Sequence, residues 1–222
     1  MAVFQPEKID AEAIEKIAKE KADVFVVVGY GRILPQKLID LPKHKTINIH
    51  TSLLPLYRGP TPIEAPILAG DKETGVTLMI IDEKVDHGPI IRQEKYALGD
   101  RETTPKLTKA LFTRGGEILA EILPDWVSGK INTTEQDHTK ATLTKKLKKE
   151  DGIIDLSSDP IENYRKFRAY AGWPRTFFFH NSKRIIITKA RLENDKFVIE
   201  KIIPESGKEI KYEDFNLRYS VD

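Results

Sequence analysis

Cysteine is absent from the 222-residue sequence, which excludes disulfide bonds, thiolate metal sites and a cysteine nucleophile within it. A chain without cysteine is typical of a reducing compartment. No run of residues approaches the roughly 20 apolar positions that a membrane-spanning helix needs. The first residues, MAVFQPEKID, also lack the charged region and the apolar core of a signal peptide. Together these absences predict a cytoplasmic protein.

A strong excess of one charge is also missing. The formal net charge is +2, so a nucleic acid would have to bind a local basic patch rather than a general basic field. Hydrophobic residues make up 40% of the chain and charged residues 32%, a balance typical of folded domains. Gly29-Tyr30-Gly31 lacks the third glycine of the dinucleotide fingerprint, and the five histidines have no metal-ligand spacing. We therefore predict neither a dinucleotide site nor a metal site.

The order of the predicted elements indicates the fold class. Residues 10–21 have helical spacing, and Val24–Val28 is a continuous apolar run typical of a strand buried on both faces of a sheet. A second strand, Thr46–His50, follows. Residues 104–122 predict a long amphipathic helix that Pro124 ends. Because strands alternate with helices, we expect an α/β domain, doubly wound and Rossmann-like, with a mostly parallel sheet.

The composition changes near residue 131, which indicates more than one domain. Residues 1–130 hold the α/β pattern. Residues 131–149 are polar and rich in lysine, so we interpret them as a basic linker, and a solvated surface is the ordinary use of such a lysine run. Residues 150–222 contain short strand-like runs, two of which Asn181-Ser182 would join in a turn. They predict a small β-rich domain.

Polar side chains alternate with apolar ones at the end of the second strand, in the sequence INIH. Successive residues of a strand point to opposite faces, so Asn48 and His50 share one face. Both lie at the carboxyl end of the strand, where open α/β sheets bind their ligands. An asparagine amide can stabilise an oxyanion, and a histidine can carry a proton. The same pair also occurs as the ordinary polar end of a strand, so two residues alone do not define a site.

Asp86 is the third candidate, because it follows the next β-branched strand in the sequence DEKVDHGPII. A carboxylate there could orient the His50 ring and stabilise its protonated form. Asp86-His87-Gly88 could equally be a plain turn, and the spacing does not choose between the two. The intervening loop, SLLPLYRG, also carries Arg58, which could meet an anion or form a surface salt bridge. We expect His87, His138 and His180 to be turn or surface residues.

Four segments in this order resemble the 10-formyltetrahydrofolate-dependent formyltransferase family. They are GYGRILP at 29–35, NIHTSLLPLYRG at 48–59, AGDKETGVT at 69–77 and VDHGPII at 85–91. The resemblance implies that Asn48, His50 and Asp86 are the catalytic residues. It also implies that the folate contacts Ser52, Leu53, Leu54 and Pro55, and that no metal takes part.

The reaction that the resemblance implies is acyl transfer from 10-formyltetrahydrofolate to an amine. In it, Asn48 and a protonated His50 stabilise the developing oxyanion, while Asp86 holds the histidine. Three C-terminal features resemble the members that formylate initiator methionyl-tRNA: Glu150–Asp155, Trp173-Pro174 and Glu213–Phe215. Sugar-nucleotide N-formyltransferases share the loop and stay an alternative. A folate-binding protein that keeps the fold without catalysis is a second alternative.

The resemblance further implies an incomplete first domain. Members of the family carry additional strands before the segment that matches VFQPEKI. On this view residues 1–130 are a partial catalytic domain, and residues 150–222 are a shortened, OB-like C-terminal domain. Val24–Val28 would then be an exposed apolar edge, which could pair with another chain. The oligomeric state is left open.

Overall fold

The computed structural model describes residues 2–219, and they form two compact units. The first comprises Met1–Pro62, Glu73–Ala97 and Thr108–Lys145, and the second comprises Ile63–Lys72, Leu98–Leu107 and Lys146–Asp222. The chain thus passes between the units several times. The predicted boundaries near residues 130 and 150 stay a prediction. Within residues 2–219, no helix is both long enough and apolar enough to cross a membrane.

The first unit begins with elements close to their predicted positions. They are helix α1 (Ala11–Ala18), strand β1 (Phe25–Val28), the short helix α2 (Gln36–Ile39) and strand β2 (Thr46–His50). Helix α1 starts where it does because the Asp10 carboxylate accepts a hydrogen bond from the Ala13 N–H at 3.0 Å. This contact satisfies a donor that the first helical turn leaves free.

Four strands form the sheet of the first unit, in the order β1-β2-β3-β4. Strand β3 spans Glu73–Ile80, and strand β4 spans Ile90–Ala97. Only β1 and β2 run parallel, whereas β2–β3 and β3–β4 are antiparallel pairs. The prediction of a mostly parallel sheet is therefore wrong for these strands. The connection 81–89 is too short for a parallel crossover, which needs a dozen or more residues.

Strand β1 lies at the edge of this four-stranded order, as the resemblance led us to expect. Val24 and Val26 pack against the core, but Val28 is 50% exposed. The expectation of a strand buried on both faces is therefore wrong. An uninterrupted apolar run shows which residues are apolar, but it does not show how many strands and helices pack against them.

The core of the first unit lies between the sheet and helix α4, which spans Thr104–Val127 and belongs to this unit from Thr108 onward. The cluster of buried residues there consists of Ile47, Ile49, Val76, Leu78, Ile91 and Ile118. A Cβ at Gly115 would collide with the Ile49 side chain, so this glycine allows the helix to approach the sheet closely. This packing fixes β2, the strand that carries two of the candidate residues.

Pro124 lies inside α4 rather than at its end, so the predicted stop at Ile122 is wrong. A proline removes one backbone donor, and packing of the following turn can offset that loss. Trp126 packs against the core, and its Nε1 donates to the His44 carbonyl at 2.8 Å. Tertiary contacts of the last turn therefore carry the helix to Val127.

The second unit contains helices on an antiparallel sheet with the order β5-β6-β7-β8. Its strands are β5 (Phe177–His180), β6 (Lys183–Glu193), β7 (Lys196–Pro204) and β8 (Ile210–Lys211), and its helices are α3 (Glu64–Ala69), α5 (Pro160–Ala169) and α6 (Tyr212–Tyr219). Asn181 and Ser182 have φ of 49° and 62°, the left-handed values that a two-residue hairpin turn requires. The predicted hairpin is thus confirmed. The α/β sheet followed by a small β-rich domain is confirmed as the fold class.

Candidate active site

The three predicted catalytic side chains converge in the first unit. Asn48 and His50 lie at the carboxyl end of β2, and Asp86 lies in the turn between β3 and β4. The Asn48 Nδ2 donates to Asp86 Oδ1 at 3.2 Å. The His50 Nδ1 lies 3.6 Å from the same oxygen. One carboxylate oxygen therefore faces both partners.

Asp86 is held in an unusual backbone conformation. Its φ is +47°, in the left-handed region that aspartate tolerates better than most residues. Its second oxygen, Oδ2, accepts a hydrogen bond from the Gly59 N–H at 2.8 Å. The tripeptide that begins at Asp86 is therefore a turn and also the carrier of a carboxylate whose two oxygens point at different partners.

His50 is buried, with 5% of its surface exposed, and its Nε2 lies 3.1 Å from the Tyr57 carbonyl oxygen. Burial lowers the pKa of His50 below its ordinary value, although the Asp86 charge and the Tyr57 carbonyl act in the opposite direction. Arg58 adds to the lowering of this pKa. A neutral ring facing a carbonyl carries its proton on Nε2. The lowered pKa favours the neutral form of the resting His50 ring.

Two polar side chains that sequence reasoning missed fix the loop after β2. The Thr77 hydroxyl donates to the Ser52 carbonyl at 2.7 Å and accepts from the Leu54 N–H at 3.3 Å. The Gln93 Nε2 donates to the Leu54 carbonyl at 2.9 Å and to the Thr77 hydroxyl at 2.8 Å. Both residues occupy β strands, where polar residues give no sign of which loop they contact. The side chains of Ser52 and Leu54 are buried, whereas those of Leu53 and Pro55 are partly exposed.

The structure contradicts one of the two interpretations of Arg58. It is only 6% exposed, so it does not form a surface salt bridge, and its guanidinium contacts the Gln136 amide and the His138 ring. Its Nε and Nη2 donate to Gln136 Oε1 at 3.2 Å and 2.6 Å. The Gln136 Nε2 in turn donates to the carbonyls of Asp86 at 3.0 Å and Gly88 at 2.7 Å. Sequence reasoning missed Gln136, because it lies in a polar run that composition marks as a linker.

The chain around Gln136 is paired with the site by its backbone. Thr142 accepts from the Arg58 N–H at 2.9 Å through its carbonyl, and the Thr144 N–H donates to the Arg58 carbonyl at 2.7 Å. Thr134 and Ile90 exchange two further bonds of 2.8 Å each. Backbone hydrogen bonds therefore hold residues 134–144 beside Arg58 and Ile90 in the first unit. Polar composition alone does not reveal this role.

His87 and His138 form a stacked pair beside this network. Their ring centroids lie 4.0 Å apart with an interplanar angle of 7°. The His87 Nδ1 lies 2.7 Å from Asp82 Oδ2, and the His138 Nδ1 lies 2.9 Å from the Arg58 Nη2. His87 is in the turn, as predicted, while His138 is exposed and contacts the buried Arg58. In the part of the chain that the structure describes, no group of three or more His, Cys, Asp or Glu side chains could hold a metal ion.

The chain that carries this cluster of an amide, an imidazole and a carboxylate matches the patterns of a known enzyme family. The pattern of the family described as "Formyl transferase" matches residues 2–123, and that of "Formyl transferase, C-terminal domain" matches residues 146–214. The chain belongs to the formyltransferase family.

Among its relatives are proteins named methionyl-tRNA formyltransferase. That of Chloroflexus aggregans is 44% identical over 191 residues, which cover 86% of this chain and 62% of the relative. That of Roseiflexus sp. is 42% identical over 195 residues, which cover 87% of this chain and 60% of the relative. The chain thus spans less than two thirds of the length of these relatives.

Solved structures share the fold at lower sequence identity. Methionyl-tRNA formyltransferase from Clostridium thermocellum has a TM-score of 0.67 at 21% identity, covering 91% of this chain and 85% of that one. HypX from Aquifex aeolicus in complex with tetrahydrofolic acid has a TM-score of 0.72 at 18% identity, covering 93% and 40%. An N-formyltransferase from Helicobacter canadensis, solved with folinic acid and dTDP-3-aminofucose, has a TM-score of 0.64 at 21% identity, covering 79% and 67%.

Proposed function

We propose that the protein transfers a formyl group from 10-formyltetrahydrofolate to the amino group of initiator methionyl-tRNA, and so supports translation initiation in the cytoplasm. The observation that carries this proposal is the convergence of Asn48 and His50 on Asp86. It occurs in a chain whose curated relatives at 42–44% identity are named methionyl-tRNA formyltransferase.

Asn48 is assigned to the oxyanion that forms when the amine attacks the formyl carbon. A side-chain amide nitrogen carries two hydrogens, and one of them is directed at Asp86 Oδ1. We assign the other to the oxygen of the tetrahedral intermediate. The bond to Asp86 fixes the amide before charge develops, which is how a donor stabilises a transition state without reorganisation.

His50 is assigned to proton transfer. Because its pKa is lowered by burial, the ring is neutral in the resting site and can accept a proton from the attacking amine. The carboxylate of Asp86 then faces a charged imidazolium at short range, which stabilises it. As the bond between the formyl carbon and N10 of the folate breaks, His50 returns that proton to N10. The products are the formylated amine and tetrahydrofolate, so protons and charge balance.

The loop Ser52–Pro55 is assigned to the folate. The partly exposed side chains of Leu53 and Pro55, together with the loop backbone, would contact the ligand. The buried Ser52 hydroxyl donates to the Leu56 carbonyl at 2.7 Å, so we assign Ser52 and Leu54 to the shape of the loop. Thr77 and Gln93 hold that shape from the sheet.

The transfer RNA is assigned to the lysine-rich stretch of the chain. Five of its lysine side chains are exposed: Lys140, Lys145, Lys146, Lys148 and Lys149. Exposed lysines bind phosphates without sequence specificity, and this binding weakens as the salt concentration rises. This assignment differs from the ordinary interpretation of the lysine-rich run, which is a solvated surface.

The experiment offers purified protein three acceptors in parallel with 10-formyltetrahydrofolate: initiator methionyl-tRNA, uncharged initiator tRNA and an amino-sugar nucleotide. We expect formyl transfer to the aminoacylated tRNA alone. Transfer to the sugar nucleotide instead would contradict the proposal and favour the first alternative. Folate binding without transfer to any acceptor would favour the second alternative, a folate-binding protein.

A further inference from the structure

We propose that Gln136 is a positioning residue, which holds Asp86 and thereby His50 in their working geometry, and that Arg58 fixes the Gln136 side chain for this task. The role of Gln136 rests on the proposed function only for the expected effect on the rate of formyl transfer. The structural consequence can be measured without any substrate.

The first support is the way Gln136 spans the turn that carries Asp86. Its Nε2 donates at 3.0 Å to the Asp86 carbonyl and at 2.7 Å to the Gly88 carbonyl, one on each side of His87. The turn contains a residue at φ +47°, so its shape depends on satisfied carbonyls. Gln136 is 5% exposed, so water cannot readily replace these bonds. The amide therefore sets the position of the Asp86 backbone.

The second support is the way Arg58 connects Gln136 to the opposite loop. Two guanidinium nitrogens of the buried Arg58 donate to Gln136 Oε1, which is a charge-assisted fork. Each of the two residues next to Arg58 in the chain contacts one of the candidate catalytic residues His50 and Asp86. The Tyr57 carbonyl faces His50 Nε2, and the Gly59 N–H donates to Asp86 Oδ2. One side-chain contact thus links the two loops that hold the candidate imidazole and the carboxylate.

The chemistry of the linkage suits glutamine in particular. Its amide offers an acceptor to Arg58 and two donor hydrogens to the carbonyls of Asp86 and Gly88 at once. A carboxylate in its place would face two carbonyl oxygens without a proton to share. An apolar side chain would remove the Gln136 acceptor from a buried guanidinium and the Gln136 donor from two carbonyls, which is costly.

Loss of Gln136 would act on His50 through the Asp86 charge. The charged groups that influence the His50 ring are Asp86, which raises its pKa, and Arg58, which lowers it. If the turn relaxes, the carboxylate moves away from His50 Nδ1 and the raising influence weakens. Burial of the ring is unchanged. The pKa of His50 should therefore fall further below its ordinary value.

The experiment measures the imidazole titration of His50 by NMR in the 222-residue chain and in two variants with an uncharged replacement, Gln136→Met and Gln136→Asn. Methionine keeps the length without donors, and asparagine keeps the amide but is too short to span both contacts. A His50→Gln variant assigns the resonance. Thr139→Ala is the matched control, because Thr139 is three residues away and its hydroxyl donates within its own turn, to Asp137 Oδ1 at 2.6 Å.

We expect His50 to titrate at lower pH in both Gln136 variants than in the parent and in Thr139→Ala. If the methionine variant does not fold, the asparagine variant decides. A His50 titration that matches the parent in a folded Gln136 variant would overturn the proposal, and so would an equal shift in Thr139→Ala.

If the parent protein transfers formyl groups, kcat and KM can be compared between it and the Gln136 variants. A misplacement of about 1 Å costs roughly 10²-fold in rate, so we expect a loss of that order in kcat for Gln136→Met. The KM for the folate should stay near that of the parent, since the Gln136 side chain bonds to Arg58, Asp86 and Gly88, which are not among the residues assigned to the folate. A rise in KM at unchanged kcat contradicts positioning. A parent without transfer activity would refute the proposed function, while the His50 titration would still decide the role of Gln136.

Discussion

His50 Nδ1 lies 3.6 Å from Asp86 Oδ1, which is too long for a good hydrogen bond but short enough for electrostatic attraction once the ring is protonated. The neutral resting ring therefore carries no proton committed to the carboxylate. When the ring gains a proton, the carboxylate is already in place to stabilise it. This relationship links the buried site to the pH dependence of the protein.

The lowered pKa of His50 predicts a loss of stability in acid. In the unfolded chain the ring binds a proton near its ordinary pKa of about 6.5, whereas in the folded chain it does so only at lower pH. Between these two values the unfolded state binds more protons, so the free energy of unfolding falls as pH falls. Urea titrations at pH 7.5 and at pH 5.5 measure this change. In His50→Gln we expect a smaller difference between the two pH values, and an unchanged difference would contradict the assignment.

Asn48→Ala should reduce the rate of transfer rather than the binding of substrates. Removing one donor from a developing oxyanion typically costs about 10²–10³-fold in kcat. Steady-state kinetics with the folate donor give kcat and KM separately, and we expect the loss in kcat. Gln36→Ala is the control, since Gln36 is exposed on α2 and bonds to Asp40. A loss that appears only in KM would show that Asn48 binds substrate and does not stabilise the intermediate.

Truncation of two leucines of the first unit should change the free energy of unfolding by very different amounts. Leu78 is fully buried in the core, and Leu78→Ala should lower the free energy of unfolding by about 2–5 kcal/mol. Leu143 is 77% exposed, and Leu143→Ala should change it by less than about 0.5 kcal/mol. Chemical denaturation of the two variants tests the packing directly. Equal effects would mean that the sheet and α4 do not pack as described.

The lysine-rich stretch should contribute salt-sensitive binding of transfer RNA. Changing Lys145, Lys146, Lys148 and Lys149 to glutamine removes four exposed charges. We expect weaker binding and a shallower fall of affinity with salt, because each lost phosphate contact lowers the slope by about 0.7–0.9. The charge-matched control changes Lys8, Lys19, Lys37 and Lys43, which are also exposed. Equal losses in both sets would indicate a general charge effect and contradict a local patch.

The sequence predicted the positions of the helices and strands better than their pairing and packing. Periodicity placed β2, α4 and the Asn181-Ser182 hairpin close to their observed positions. It did not indicate that β3 runs antiparallel to β2, because an apolar pattern carries no direction. Pro124 shows a second limit, since the packing of Trp126 keeps the helix intact beyond a residue that disfavours it.

The candidate site shows the same division. Alternation in INIH placed Asn48 and His50 on one face, and its position after the next strand made Asp86 the third candidate, which the structure brings to both. Gln136 gave no signal, because its role arises from hydrogen bonds to main-chain carbonyls across the fold. The neutral state of His50 also depends on burial, and burial of a strand end cannot be derived from strand periodicity.

The most direct test of the proposed mechanism is single-turnover formyl transfer from 10-formyltetrahydrofolate to initiator methionyl-tRNA, measured for this chain and for His50→Ala at equal folate occupancy. We predict transfer by the parent and a rate reduced by about 10²–10⁴-fold in the variant, the usual contribution of a positioned acid–base group. Near-normal transfer by His50→Ala would contradict the proposed mechanism, and no transfer by the folate-bound parent would contradict the proposed function.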